Sequence, residues 1–151
     1  MFSLVFPGQG SQTIGMGKDF FENYDLVKDL FNEADESLGI SLSKIILEGP
    51  KDQLDLTVNT QPAIFLISYS IFQVMKKEFN LDLNNAKYFA GHSLGEYSAL
   101  CAANYLSFSD TIKILKTRGN AMQNAVPKGE GGMLAVLGSN VEIIEDLLNE
   151  N

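Results

Sequence analysis

The sequence predicts an α/β fold in which a parallel sheet carries flanking helices, and three observations predict it. Ser3-Leu4-Val5-Phe6 is a short apolar run stopped by Pro7-Gly8, the pattern of a buried strand that ends in a tight turn. Tyr88-Phe89-Ala90 is a second such run, leading into Gly91-His92-Ser93-Leu94-Gly95 and then an alanine-rich stretch. Between the two runs the apolar residues recur at helical spacing. Strand, helical crossover and strand in that order imply parallel pairing.

The elements follow in order. After the first strand, Phe20, Tyr24, Val27, Leu30, Phe31 and Leu38 lie broadly on one side of a predicted helix from Lys18 to Leu38, closed by Gly39. Ser41 to Leu47 reads as a short helix ended by Gly49-Pro50, and Asp52 to Leu56 as one further helical turn. Thr60 is the predicted N-cap of the next helix, with Pro62 in the first turn, where its missing N–H does no harm. That helix runs to about Phe79 with apolar residues on nearly every face, so it is expected to be buried. Lys87 to His92 is the second strand and Leu94 to Ala103 the helix after it. Ser107 to Val126 forms another helix, with Ser107 or Ser109 as cap. A final strand, Met133 to Leu137, and an acidic helix, Val141 to Leu148, end the pattern, and no internal repeat is present. Pro127 to Gly132 marks a boundary, giving a larger unit over 1–127 and the beginning of a smaller one over 128–151.

Composition narrows the function classes. At 151 residues with 45% apolar and 20% charged residues, the chain can bury a core without disulfides. Its formal net charge of −8 argues against nucleic acid, whose phosphates need clustered Lys and Arg. No apolar segment has the length to span a bilayer, and no basic leader precedes the first strand, so no membrane partner is expected. A single cysteine, Cys101, leaves neither an internal disulfide nor a cysteine metal cluster, and a cytoplasmic setting is expected. Cys101 itself reads as a small core residue, and Glu142, Glu145, Asp146 and Glu150 as a solvated helix face.

The chemistry concentrates at Ser93. A strand that turns sharply into a helix needs small residues two before and two after the turn residue, and Gly91 and Gly95 supply them. Ser93 then sits strained and exposed, with backbone N–H groups of the helix start nearby, an arrangement suited to attack on an acyl carbonyl. A serine hydroxyl is a poor nucleophile until a base takes its proton. His92 is the only histidine, and consecutive side chains diverge at such a turn, which argues against it as that base. Packing beside the elbow, or contact with a bound acyl group, are the roles left to it. Arg118 is the only arginine beside ten lysines, on a predicted helix after the elbow. It reads either as a surface salt bridge or as a two-pronged grip on a carboxylate, which lysine cannot provide. Gly8-Gln9-Gly10 after a strand also invites a nucleotide-loop reading, but Thr13 occupies the position where the dinucleotide pattern needs glycine or alanine.

The segment from Gly91 to Leu100, Gly-His-Ser-Leu-Gly-Glu-Tyr-Ser-Ala-Leu, resembles the active-site segment of malonyl-CoA:acyl-carrier-protein transacylases. Phe6-Pro7-Gly8-Gln9-Gly10-Ser11-Gln12 resembles their amino-terminal loop, and Asn59-Thr60-Gln61-Pro62-Ala63 their buried helix start. Arg118-Gly119, Met122-Gln123 and Ala125-Val126-Pro127 resemble their carboxylate-binding helix. The resemblance implies a hydrolase-like large subdomain, incomplete here, and the start of a small ferredoxin-like one. It implies Ser93 as the nucleophile that takes malonyl from coenzyme A as an ester, and the N–H groups of Gln9 and Leu94 as the oxyanion hole. Arg118 would hold the malonyl carboxylate, with His92, Gln61 and Met122 lining the pocket. The substrates implied are malonyl-CoA and acyl carrier protein, in fatty acid synthesis, with neither metal nor further cofactor.

The sequence departs from that pattern in one respect. The family's general-base histidine comes from a later part of the chain, so these residues are expected to be roughly the amino-terminal half of the enzyme and poorly active alone. Two other functions use the same elbow: a serine esterase or thioesterase of α/β-hydrolase type, and a carrier-protein docking module without catalysis. Malonyl and methylmalonyl are not separated by these residues, and polyketide synthase acyltransferase domains share the motifs. A start at Met1 directly before the first strand favours a free-standing enzyme.

Overall fold

A computed structural model describes residues 2–125, 130 and 136–150. Strand β1 (Ser3–Phe6) pairs in parallel with β2 (Tyr88–Gly91), in register from Ser3 opposite Tyr88 to Phe6 opposite Gly91. Because the strands are parallel and in step, their carboxyl ends coincide. The Pro7-Gly8-Gln9 loop and the His92-Ser93 turn therefore leave the sheet side by side, and the His92 N–H continues the ladder onto the Phe6 carbonyl at 3.1 Å. The α/β class with parallel pairing is as the sequence predicts.

The crossover between the strands is helical. The predicted Lys18–Leu38 helix is two: α1 (Lys18–Asn23) and α2 (Asp25–Leu38), parted at Tyr24, which is extended at φ −128° and ψ 115°. The Asn23 side chain donates to the Asp19 carbonyl at 2.7 Å, taking an acceptor of the helix terminus, while Asp25 begins the next helix where an acidic residue suits the dipole. Val27, Leu30, Phe31 and Ala34 form the buried stripe of α2, and Gly39 ends it in the left-handed conformation at φ 64°. Two short helices follow, α3 (Leu42–Glu48) and α4 (Lys51–Leu54).

Helix α5 (Thr57–Lys77) starts earlier than the sequence reading placed it. Leu56 is its N-cap, and Thr60 lies buried inside its first turns. The Thr60 hydroxyl is within hydrogen-bonding distance of the carbonyls of Leu54 at 2.5 Å and Leu56 at 3.1 Å, so it ties the end of α4 to α5 instead of capping an amide. Pro62 is accordingly an interior residue of α5. The helix is buried along most of its length, as expected, and its Ala63, Phe65 and Leu66 pack in one cluster with Val27 and Phe31 of α2.

A short 3-10 turn (Leu83–Asn85) leads into β2, and α6 (Gly95–Ala102) leaves from the elbow. Helix α7 (Phe108–Asn124) is capped by Ser107, whose Oγ accepts from the Asp110 N–H at 3.0 Å, which decides between the two predicted caps. Its Ile112 and Leu115 complete the main cluster. Helix α8 (Val141–Asn149) ends the described chain. The predicted boundary at 127/128 and most of the predicted Met133–Leu137 strand lie outside the described residues, and Val136 and Leu137 are not in a strand. Among the described residues no helix is long and apolar enough to cross a membrane.

Candidate active site

The elbow is built by close packing of backbone. A Cβ on Gly91 would overlap the carbonyl group of Gly95, and one on Gly95 would press into the Phe6 carbonyl and lie 2.7 Å from that of Pro7. Only glycine at both positions lets strand, turn and helix approach so closely. Ser93 between them takes φ 56°, left-handed backbone that a non-glycine residue adopts at a cost of about 1–3 kcal/mol. Leu94 next to it is fully buried in the main apolar cluster, which holds the turn in place. Ser93 is exposed, with its hydroxyl at the carboxyl end of the sheet.

The loop after β1 lies against this turn. A Cβ on Gly8 would strike the His92 imidazole and come within 2.8 Å of the His92 carbonyl oxygen, so the loop passes directly over His92. Gln9 follows, its side chain reaching Thr57 at the start of α5 across 3.5 Å. Among the described residues, neither the Gln9 nor the Leu94 amide N–H has a hydrogen-bond acceptor. The Leu94 amide adjoins the exposed serine, and the Gln9 amide follows the loop residue that packs on His92.

Arg118 enters from α7. Its Nη1 donates to Gln61 Oε1 at 2.7 Å and its Nη2 to Ser93 Oγ at 3.2 Å. Gln61, fully buried on α5, donates through Nε2 to Met122 Sδ at 3.2 Å, so both ends of its amide are used. The two helices can bring these side chains together because Gly119 is packed against the first turn of α5. A Cβ there would lie 2.6 Å from the Thr57 carbonyl oxygen and 2.7 Å from Val58 Cα. Lys116, three residues before Gly119, donates to Asn59 Oδ1 at 2.9 Å, and partial burial pulls its ammonium pKa below the usual lysine value.

Of the sequence-predicted residues, Ser93, Arg118, Gln61 and Met122 thus meet in one hydrogen-bonded chain, and the Gln9 loop and Leu94 flank it. His92 is apart from the chain, beside Gly8, and makes no hydrogen bond to Ser93 Oγ, whose partner among the described residues is Arg118. Cys101 is buried in the main cluster, and burial pushes its thiol pKa up, away from nucleophilic use. One residue was missed by the sequence reading: the Tyr97 ring, with the Arg118 guanidinium carbon 5.8 Å from its centroid. Its position four residues after Ser93 on a predicted helix was the available signal.

A serine elbow on a parallel sheet, faced by a single arginine, places the chain in a class of acyl-transfer folds, and the comparisons with known proteins agree. Residues 3–147 match the acyl transferase domain, and the chain belongs to that family. It is 45% identical over 148 residues to a malonyl CoA-acyl carrier protein transacylase of Bacillus subtilis (strain 168), covering 98% of this chain and 45% of that one. The crystal structure of an acyl-carrier-protein-S-malonyltransferase from Bartonella henselae superposes with a TM-score of 0.91 at 46% identity, over 99% of this chain and 48% of that one. A malonyl-transacylase solved in complex with a type II PKS acyl-carrier protein is similar at a TM-score of 0.87 and 39% identity, over 99% and 47% of the two chains. The chain therefore spans about half the length of the relatives it matches. The resemblance read from the elbow and loop motifs is borne out.

Proposed function

We propose that these residues supply the nucleophile and the carboxylate seat of a malonyl-CoA:acyl-carrier-protein transacylase. The observation that carries this is the Arg118 guanidinium hydrogen-bonded to Ser93 Oγ, which puts the grip for a free carboxylate beside the attacking oxygen. An esterase or thioesterase needs the elbow but has no use for that cation.

In this reading malonyl-CoA binds with its free carboxylate on Arg118, whose other edge is held by Gln61. Ser93 Oγ attacks the thioester carbonyl carbon and loses its proton to a base. The Gln9 and Leu94 N–H groups receive the negative oxygen of the tetrahedral intermediate, and the C–S bond breaks to release coenzyme A as its thiol. The pantetheine thiol of acyl carrier protein then attacks the seryl ester, and Ser93 regains its proton. Among the described residues no base is hydrogen-bonded to Ser93, so both proton transfers need a base beyond them, which the family resemblance assigns to a histidine later in the chain. His92, Gln61 and Met122 line the acyl pocket. A cytoplasmic setting, and a division near 127/128 into a larger and a smaller unit, belong to the same proposal, supported by the lone cysteine and by the Pro- and Gly-rich segment.

The test is to fuse residues 1–151 to the remaining carboxyl-terminal portion of the Bacillus subtilis relative and to follow malonyl transfer to acyl carrier protein. The fusion is expected to transfer malonyl groups, Ser93→Ala to abolish the transfer, and the 151-residue chain alone to be slower by orders of magnitude. A folded fusion that hydrolyses acyl esters but never loads the carrier protein contradicts the proposal.

A further inference from the structure

We propose that Tyr97 is a positioning residue that fixes the plane of the Arg118 guanidinium, and through it the orientation of the carboxylate seat beside Ser93. The inference rests on the role of Arg118 given above and goes beyond it.

Two edge hydrogen bonds hold the guanidinium, one to Gln61 on α5 and one to Ser93 on the elbow. Two acceptors define a line, and a planar group can still rock about that line. The third corner, Nε, hangs on the flexible Arg118 stem, and the Tyr97 ring on α6 steadies the plane against that rocking, 5.8 Å from the guanidinium carbon. The attraction is electrostatic, between the cation and the negative face of the ring. Tyr97 is itself only half-buried but is packed against the main apolar cluster, which stiffens it. Contacts from α5, the elbow and α6 therefore hold the cation.

This matters because a carboxylate accepts two parallel N–H bonds only when it lies in the guanidinium plane. It matters more once substrate is bound. When Ser93 Oγ becomes the ester oxygen, its lone pairs are drawn into the acyl group and its bond from Nη2 weakens. Gln61 and the Tyr97 ring are then what keep the guanidinium aimed. Among the described residues the Tyr97 hydroxyl makes no hydrogen bond, so the ring face and not the phenol carries the effect.

The experiment titrates malonyl-CoA and acetyl-CoA separately into the 151-residue chain and into Tyr97→Phe, Tyr97→Leu and Arg118→Ala. It also records the Arg118 Nε–Hε resonance by NMR. Tyr97→Phe is expected to bind malonyl-CoA like the wild type, and Tyr97→Leu about 3- to 10-fold more weakly with acetyl-CoA unaffected. A merely structural role for the ring would weaken both ligands together. The resonance is expected upfield in the wild type and Tyr97→Phe and at its ordinary position in Tyr97→Leu. If Tyr97→Leu binds malonyl-CoA like the wild type while Arg118→Ala does not, the role of Tyr97 is overturned and that of Arg118 stands. If Arg118→Ala binds malonyl-CoA as well as the wild type, the reading of Arg118 itself is overturned. An unshifted resonance in the wild-type chain overturns the Tyr97 proposal whether or not Tyr97→Leu folds.

Discussion

Arg118 Nη2 donates a hydrogen bond to Ser93 Oγ across 3.2 Å, joining the centre of α7 to the turn at the head of α6. The cation proposed to receive a carboxylate is thus bound to the oxygen proposed to attack. In the proposed function a carboxylated acyl group would give the guanidinium a stronger acceptor and release the serine lone pair, and an uncharged acyl group would do neither. That proposal ties selectivity and nucleophile exposure to the same contact.

Arg118→Lys is expected to fail almost as badly as Arg118→Ala. A point charge cannot span Gln61, Ser93 and a bidentate carboxylate at once. Losing a charge-assisted pair costs about 1.5–3 kcal/mol, or about 10- to 150-fold in binding. Calorimetric titration of malonyl-CoA into the two variants checks it, and wild-type affinity in Arg118→Lys would count against a planar grip.

Gly119→Ala should act at a distance from the reaction. Its Cβ would lie 2.6 Å from the Thr57 carbonyl oxygen, so α7 must move off α5, separating Arg118 from Gln61. Overpacking of this kind costs about 1–3 kcal/mol, readable as a lower urea midpoint. An unchanged midpoint would mean that the helices absorb the methyl group.

How far the sequence could be read follows from where the structural signals reside. The elbow was legible because backbone collisions at Gly91 and Gly95 are local and leave only glycine as an answer. Gly39 was legible for a related reason, since its left-handed φ is written in the residue type. The break at Tyr24 was not, because apolar periodicity continues across it while the backbone at Tyr24 is extended, with an Asn23 to Asp19 side-chain bond beside it. Thr60 looked like a cap because threonine before Pro62 fits a helix start, yet its hydroxyl serves the carbonyls of Leu54 and Leu56. At the site, Ser93 and Arg118 were singled out by residue type. Tyr97 became visible only when α6 and α7 were placed together.

Cys101 should resist thiol reagents in the folded chain. The thiolate is the reacting form, and burial raises the thiol pKa, so at a given pH the folded protein presents less of it than an unfolded chain. Reaction with a coloured disulfide reagent at about pH 8 is expected to be slow natively and fast in denaturing urea, with the native rate rising only at higher pH. Rapid native reaction would mean that α6 opens readily.

Val5 on β1 is 76% exposed, and β1 and the neighbouring face of α5 line an open apolar groove of about 330 Å³ that includes Leu4, Ile67, Ile71 and Met75. An apolar strand of this kind favours self-association. Val5→Lys is expected to lower the average mass seen by sedimentation without lowering the thermal transition. Equal mass for both chains would show that this face is not sticky.

Whether Arg118 selects the acyl group that Ser93 takes is read by a competition between equimolar malonyl-CoA and acetyl-CoA in the full-length fusion, with the acyl adduct identified by mass spectrometry in the wild type and in Arg118→Ala. A malonyl adduct on Ser93 is expected in the wild type, with loss of that preference in Arg118→Ala. Equal acetyl and malonyl labelling in the wild type, or an adduct on a residue other than Ser93, would contradict it.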